Sequence, residues 1–210
     1  MVWIDDILAE QQKLLAAIEA QDAKINPALE QLSGEGSPEQ SALFAAVCTE
    51  RAIGILFWAA ANEGRQSDLE FYRKALEQVW GNPVEGDRVS SEDVYARQDL
   101  ARGVEFYSGR AGGFAQTSAL ALRSALAYSE TGDFAHVRQV ADKLRNEASS
   151  LAHRMSIDGF TMAELDREVS DIEAILREGA TPDLAARLRE QARAVAREWL
   201  DLAVQYYNAG

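Results

Sequence analysis

Two adjacent charged residues, Glu50 and Arg51, stand inside an otherwise apolar stretch, Leu43 to Ala61, and are the strongest candidates for chemistry in this sequence. A helix apolar on every side is usually buried, and a buried charge must be paired. Helix neighbours point about 100° apart, so this pair does not face itself and each member needs an answer from another helix. Arg73 is a candidate answer to Glu50, and an acidic residue of the seventh helix to Arg51. One reading makes Glu50, Arg51 and Arg73 the wall of a polar ligand-binding pocket. The other makes them a structural ion-pair network that fixes helix register.

Other reactive residues give less. The two histidines, His136 and His153, form no ligand pair, and Asp133 sharing a face with His136 supplies only two groups. No metal site or cofactor is expected. Cys48, two residues before Glu50 in the apolar stretch, reads as an inert buried thiol. Arg102 and Arg110 lie among Gly103, Gly109, Gly112 and Gly113. Such a loop is either an anion-binding turn, whose backbone N–H groups approach a phosphate, or a plain connection between helices. It follows no strand and has no Walker lysine. No catalytic motif is found, and the weight lies against an enzyme.

Start and stop signals divide the chain into about eight helices. The first spans about Trp3 to Gln21, with Asn26-Pro27 and Gly34 to Gly36 interrupting the pattern. Ser37, Pro38 and Gln40 open the second with a capping box, and Gly64 ends it. Ser67 with Glu70 suggests a second box for the third helix, which Gly81-Asn82-Pro83 stops. A fourth is expected from about Ser91 to Tyr107 and a fifth from Phe114 to Glu130. Asp133 caps the sixth, whose seam runs Phe134, Val137, Ala141, Leu144, Ala148, Leu151 and Met155. Thr161 with Glu164 suggests a third box, opening a helix with Met162, Leu165, Val169, Ile172 and Leu176 inward. The eighth starts at Thr181-Pro182, with Leu184, Leu188, Ala192, Val195, Trp199, Leu202 and Tyr206 as its seam. No run alternates like a strand. The expected fold is an all-α, single-domain bundle over 1–210 around the central apolar second helix.

Two stretches carry a resemblance. Phe44-Ala45-Ala46-Val47-Cys48-Thr49-Glu50-Arg51 is followed by Tyr72-Arg73-Lys74-Ala75-Leu76-Glu77-Gln78-Val79-Trp80. Together they resemble the YjaG-like family of bacterial proteins, in which Phe-x-Ala-x-x-x-Glu-Arg precedes Tyr-Arg-basic-x-Leu-x-x-aliphatic-Trp at nearly this separation. The last two helices are similar as well, including the acidic run Glu164 to Glu173. The family cysteine adjoins the Glu-Arg pair, whereas Cys48 is displaced, and Val84 to Gly113 do not align. The resemblance implies an all-helical fold and no assigned activity.

The 210 residues carry 34 acidic and 21 basic side chains, for a net charge of −13. That field repels phosphate backbones, so nucleic acid is not expected as a partner, and a protein with a basic surface is a better candidate. An immunity-type protein that neutralises a basic toxin is one example. Glu50 and Arg51 at mid-helix, with no basic flank, argue against a membrane span. The lone Cys48 and an N-terminus without signal-peptide features lead to a cytoplasmic expectation. Homo-oligomerisation stays open.

Overall fold

The computed structural model describes the backbone of residues 2–100 and 112–208, with side chains at 16, 19–21, 23–98 and 112–208. Eight helices and no strands are found among these residues: α1 (Val2–Glu35), α2 (Pro38–Asn62), α3 (Gln66–Val79), α4 (Ser91–Leu100), α5 (Gly112–Thr131), α6 (Phe134–Met155), α7 (Phe160–Glu178) and α8 (Pro182–Asn208). The all-α bundle expected from the sequence is what forms.

The capping chemistry at Ser37 starts α2 as its spacing predicts. Gln40 N donates to Ser37 Oγ at 3.3 Å, and Ser37 N donates to Gln40 Oε1 at 2.8 Å. The Gln40 amide also reaches across to the Ile175 carbonyl at 2.6 Å, tying the start of α2 to the end of α7. α2 then runs through the middle of the bundle, packed by α3, α5, α6, α7 and α8. It is long and apolar enough to cross a membrane, yet most of its apolar window is buried inside the protein. Contacts of Gln40 with Ile175 and of Arg51 with Glu164 set α7 antiparallel to α2. Glu50 meets Arg189 and Arg193, while Gly54 meets Ala196, so α8 runs parallel to α2. A Cβ on Gly54 would lie 3.2 Å from the Ala196 carbonyl oxygen, so glycine permits this close crossing.

Several boundaries differ from expectation. α1 does not end near Gln21; it continues through Pro27 to Glu35. An interior proline costs about 3 kcal/mol. Ile25, Leu29 and Leu32 repeat at helical spacing across the proline and are all buried, at roughly 1.5–3 kcal/mol each, which outweighs that cost. α3 starts at Gln66, with Arg65 at the cap position and no side-chain cap, so the Ser67–Glu70 box is not used. Asp68 instead pairs with Arg65 and Arg97. α7 starts at Phe160 behind Gly159, whose φ of 77° suits glycine, and the Thr161–Glu164 box is likewise absent. Glu164 is drawn into the interior by Arg51. Met162 consequently faces solvent, and Ile175 joins the seam with Leu165 and Ile172. α4 is described only to Leu100, so its expected continuation to Tyr107 lies outside the described residues.

Candidate functional site

The helical rotation between Glu50 and Arg51 sends them into different clusters. Arg51, on the α7 side, is 3% exposed. Its Nη1 donates to Glu164 Oε1 at 2.6 Å, and its Nη2 pairs with Asp171. Glu164 also accepts from Arg167 at 3.2 Å. One turn along α7, Glu168 pairs with Arg145 of α6 at 2.8 Å, and Arg145 reaches Asp142 as well. Glu164, Glu168 and Asp171 follow i, i+4, i+7 spacing, so one face of α7 presents all three carboxylates to arginines of α2 and α6. The expectation that α7 would answer Arg51 is met twice over.

Burial and pairing oppose each other throughout this cluster. Burial pushes up the pKa of Glu164, against the pull of Arg51 and Arg167. Asp171 is raised for the same reason, against Arg51. Glu168 is pushed up to about 8 by burial, with Arg145 opposing. Burial disfavours the Arg51 charge, but the carboxylates of Glu164 and Asp171 hold its pKa above the usual arginine value. The Cys48 thiol is fully buried, and desolvation, reinforced by Glu168, pushes it far above the ordinary range. That leaves a protonated thiol with little nucleophilic character.

Glu50 faces α3 and α8. Its carboxylate accepts from the Trp80 indole at 2.6 Å, from Arg189 Nε at 3.2 Å and from Arg193 Nε at 2.9 Å. Arg189 in turn forks onto Glu77 and lies 5.0 Å from the centre of the Trp80 ring. Hydrogen bonds from Arg189 hold the Glu77 carboxyl below its usual range. The answer to Glu50 therefore comes from α8 and Trp80, not from Arg73. Arg73 is exposed, with its guanidinium 6.0 Å from the Phe57 ring. The three residues grouped by the sequence do not share a pocket.

A third polar group joins α2, α5 and α6. Ser118 Oγ donates to the Ala52 carbonyl at 2.7 Å and stands 3.2 and 3.3 Å from the two oxygens of Glu147. Glu147 is 1% exposed, and burial, opposed only by Ser118, raises its pKa well above the usual carboxylate range. Burial without a cationic partner among the described residues favours the protonated form of this carboxyl.

The remaining candidates are placed as follows. Arg102 and Arg110 lie outside the described residues; of the neighbouring glycines, Gly112 and Gly113 open α5. His136 Nδ1 is 3.3 Å from Gln139 Oε1, and His153 is exposed. No group of three or more His, Cys, Asp or Glu side chains suited to a metal is found among the described residues. Sequence reasoning missed Arg189, Arg193, Trp80, Arg145 and Glu147. Glu147 carried a signal, because it falls within the inward seam of α6 between Leu144 and Leu151. An open cleft of about 400 Å³ lies between α7 and α8, walled in part by Arg51, Arg167, Asp171 and Gln191. No family model matches this chain, and no match is found among curated proteins or solved structures.

Proposed function

We propose that this is a non-catalytic interaction protein that binds a partner with a basic surface, as an immunity-type protein would, and that it acts in the cytoplasm. The observation that carries this reading is where the charge sits. Glu50 and Arg51, the residues best suited to chemistry, are each engaged by several fixed partners from other helices. Meanwhile the chain keeps a net charge of −13, and acidic side chains such as Glu30, Glu70, Glu173 and Asp201 are exposed on its outer faces. Such a field steers a basic protein into contact and suppresses like-charged competitors. The resemblance of residues 44–80 to the YjaG-like family, which has no assigned activity, bears on the fold and leaves function open.

The test is affinity capture on the immobilised protein from its own cells, eluting with a salt gradient. The expected result is one basic polypeptide retained in a 1:1 complex and released as ionic strength rises. Retention of nothing, or of a partner indifferent to salt, would count against the proposal. A second reading, a small-molecule sensor, rests on the cleft at Arg51. It predicts a ligand whose binding is lost in Gln191→Ala while protein capture is unaffected.

A further inference from the structure

We propose that the groove between α5 and α6 binds a small organic anion carrying a carboxylate or phosphate group. The groove encloses about 610 Å³, within the size range of small-molecule sites. Arg123 and Ser124 line it from α5, His136, Gln139 and Lys143 from α6, and the first turn of α4 closes one end. Its two cations, Arg123 and Lys143, balance two carboxylates, Glu92 and Glu130, so the hollow is less acidic than the chain as a whole, with its net charge of −13.

Of the two acidic groups at its edge, one is already committed and the other is loosely held. Glu130 accepts the backbone N–H and the hydroxyl of Ser91, at 2.7 and 2.6 Å, and so serves the start of α4. Glu92 is 3.5 Å from Arg123 with its side chain 76% exposed, a solvated pair that an incoming anion can displace. Lys143, by contrast, has no ionic partner among the described residues. Arg123 is held in place by the Tyr95 ring, 4.4 Å from its guanidinium. The Gln139 side-chain oxygen lies 3.3 Å from both Ser124 Oγ and His136 Nδ1, which leaves its NH₂ to donate into the groove.

The ligand's chemistry follows from these groups. One uncompensated lysine beside a displaceable arginine fork suits a single oxyanion. Leu120 and Ala127 provide apolar lining, which favours an organic body over a bare ion. Polyanions are disfavoured, because the surrounding surface repels an extended run of phosphates.

Titration calorimetry at low salt tests the assignment with three probes: glycerol 3-phosphate, succinate and inorganic phosphate. At least one organic probe should bind 1:1 and saturably, more tightly than inorganic phosphate, and which one does so identifies the oxyanion. Lys143→Gln and Arg123→Gln should each weaken that binding by roughly tenfold or more. Both side chains lie at the surface, and circular dichroism checks that the variants stay folded. Absence of saturable binding by all three probes up to about 10 mM would overturn the proposal. So would unchanged affinity in both variants, or tighter binding of inorganic phosphate than of either organic probe.

Discussion

Replacing Arg51 with methionine removes one cation from between two carboxylates and keeps most of the side-chain volume. Glu164 is fully buried, and the Asp171 side chain is 10% exposed. After the substitution Glu164 retains only Arg167, which is partly exposed, and Asp171 loses the guanidinium that pairs with it. Removing one partner of a buried ion pair costs about 3–5 kcal/mol, because the remaining charge stays desolvated. Against a typical total of about 5–15 kcal/mol, that brings the bundle close to its unfolding threshold. The cost must also depend on pH. Glu164 and Asp171 already have folded-state pKa values above their ordinary ones, and loss of Arg51 raises them further. An acid whose folded pKa is raised binds its proton more tightly folded than unfolded. Stability then falls as pH rises from the unfolded pKa to the folded one. Urea denaturation of wild type and Arg51→Met at pH 5.5 and pH 8.5 is the assay. The variant should lose more at pH 8.5, and Arg51→Met/Glu164→Gln/Asp171→Asn should recover much of the loss. A difference below about 1 kcal/mol at both pH values would refute the reasoning.

Three further outcomes follow from the same packing. Wild-type stability should fall as pH rises from the ordinary glutamate range to about pH 8, because burial raises Glu168 to about 8 in the folded protein and shifts Glu147 in the same direction; Glu147→Gln should lessen that fall in urea titrations at fixed pH, at a cost of about 1 kcal/mol or less. Gly54→Leu should destabilise by about 1–3 kcal/mol or more in the same assay, because its side chain meets the α8 backbone at Ala196. Pro27→Ala should raise the thermal midpoint, with up to about 3 kcal/mol gained from an exposed interior helix position where the missing N–H and the ring clash are relieved.

The fold was legible wherever the apolar residues of a seam form an unbroken spacing. The inward faces of α6 and α8 appear in the sequence as spacings of three and four, and Val137, Leu144, Leu151, Leu184, Leu188 and Trp199 are all buried as that pattern requires. Legibility failed where charged residues occupy inward positions. Glu164, Glu168 and Asp171 interrupt the hydrophobic stripe of α7, so the spacing of its apolar residues alone placed Met162 inward and gave Glu164 a capping role. Arginines of other helices make those positions favourable, Arg51 from more than a hundred residues away and Arg145 from 23, and such pairings leave no local spacing. The same holds for Glu50, whose partners Arg189 and Arg193 lie about 140 positions away. Sequence proximity favoured Arg73, but α3 turns that side chain outward. At Pro27 the local rule was sound in isolation and yielded to Ile25, Leu29 and Leu32 on the buried face.

Backbone amide hydrogen exchange along α2 tests most directly whether this helix is the enclosed spine of the bundle. The account predicts that amides from Leu43 to Ala60 exchange only through global unfolding, more slowly than those of α3 or α8, in plain buffer. Rapid exchange across Glu50 and Arg51, or protection that appears only when lipid or detergent is added, would contradict it.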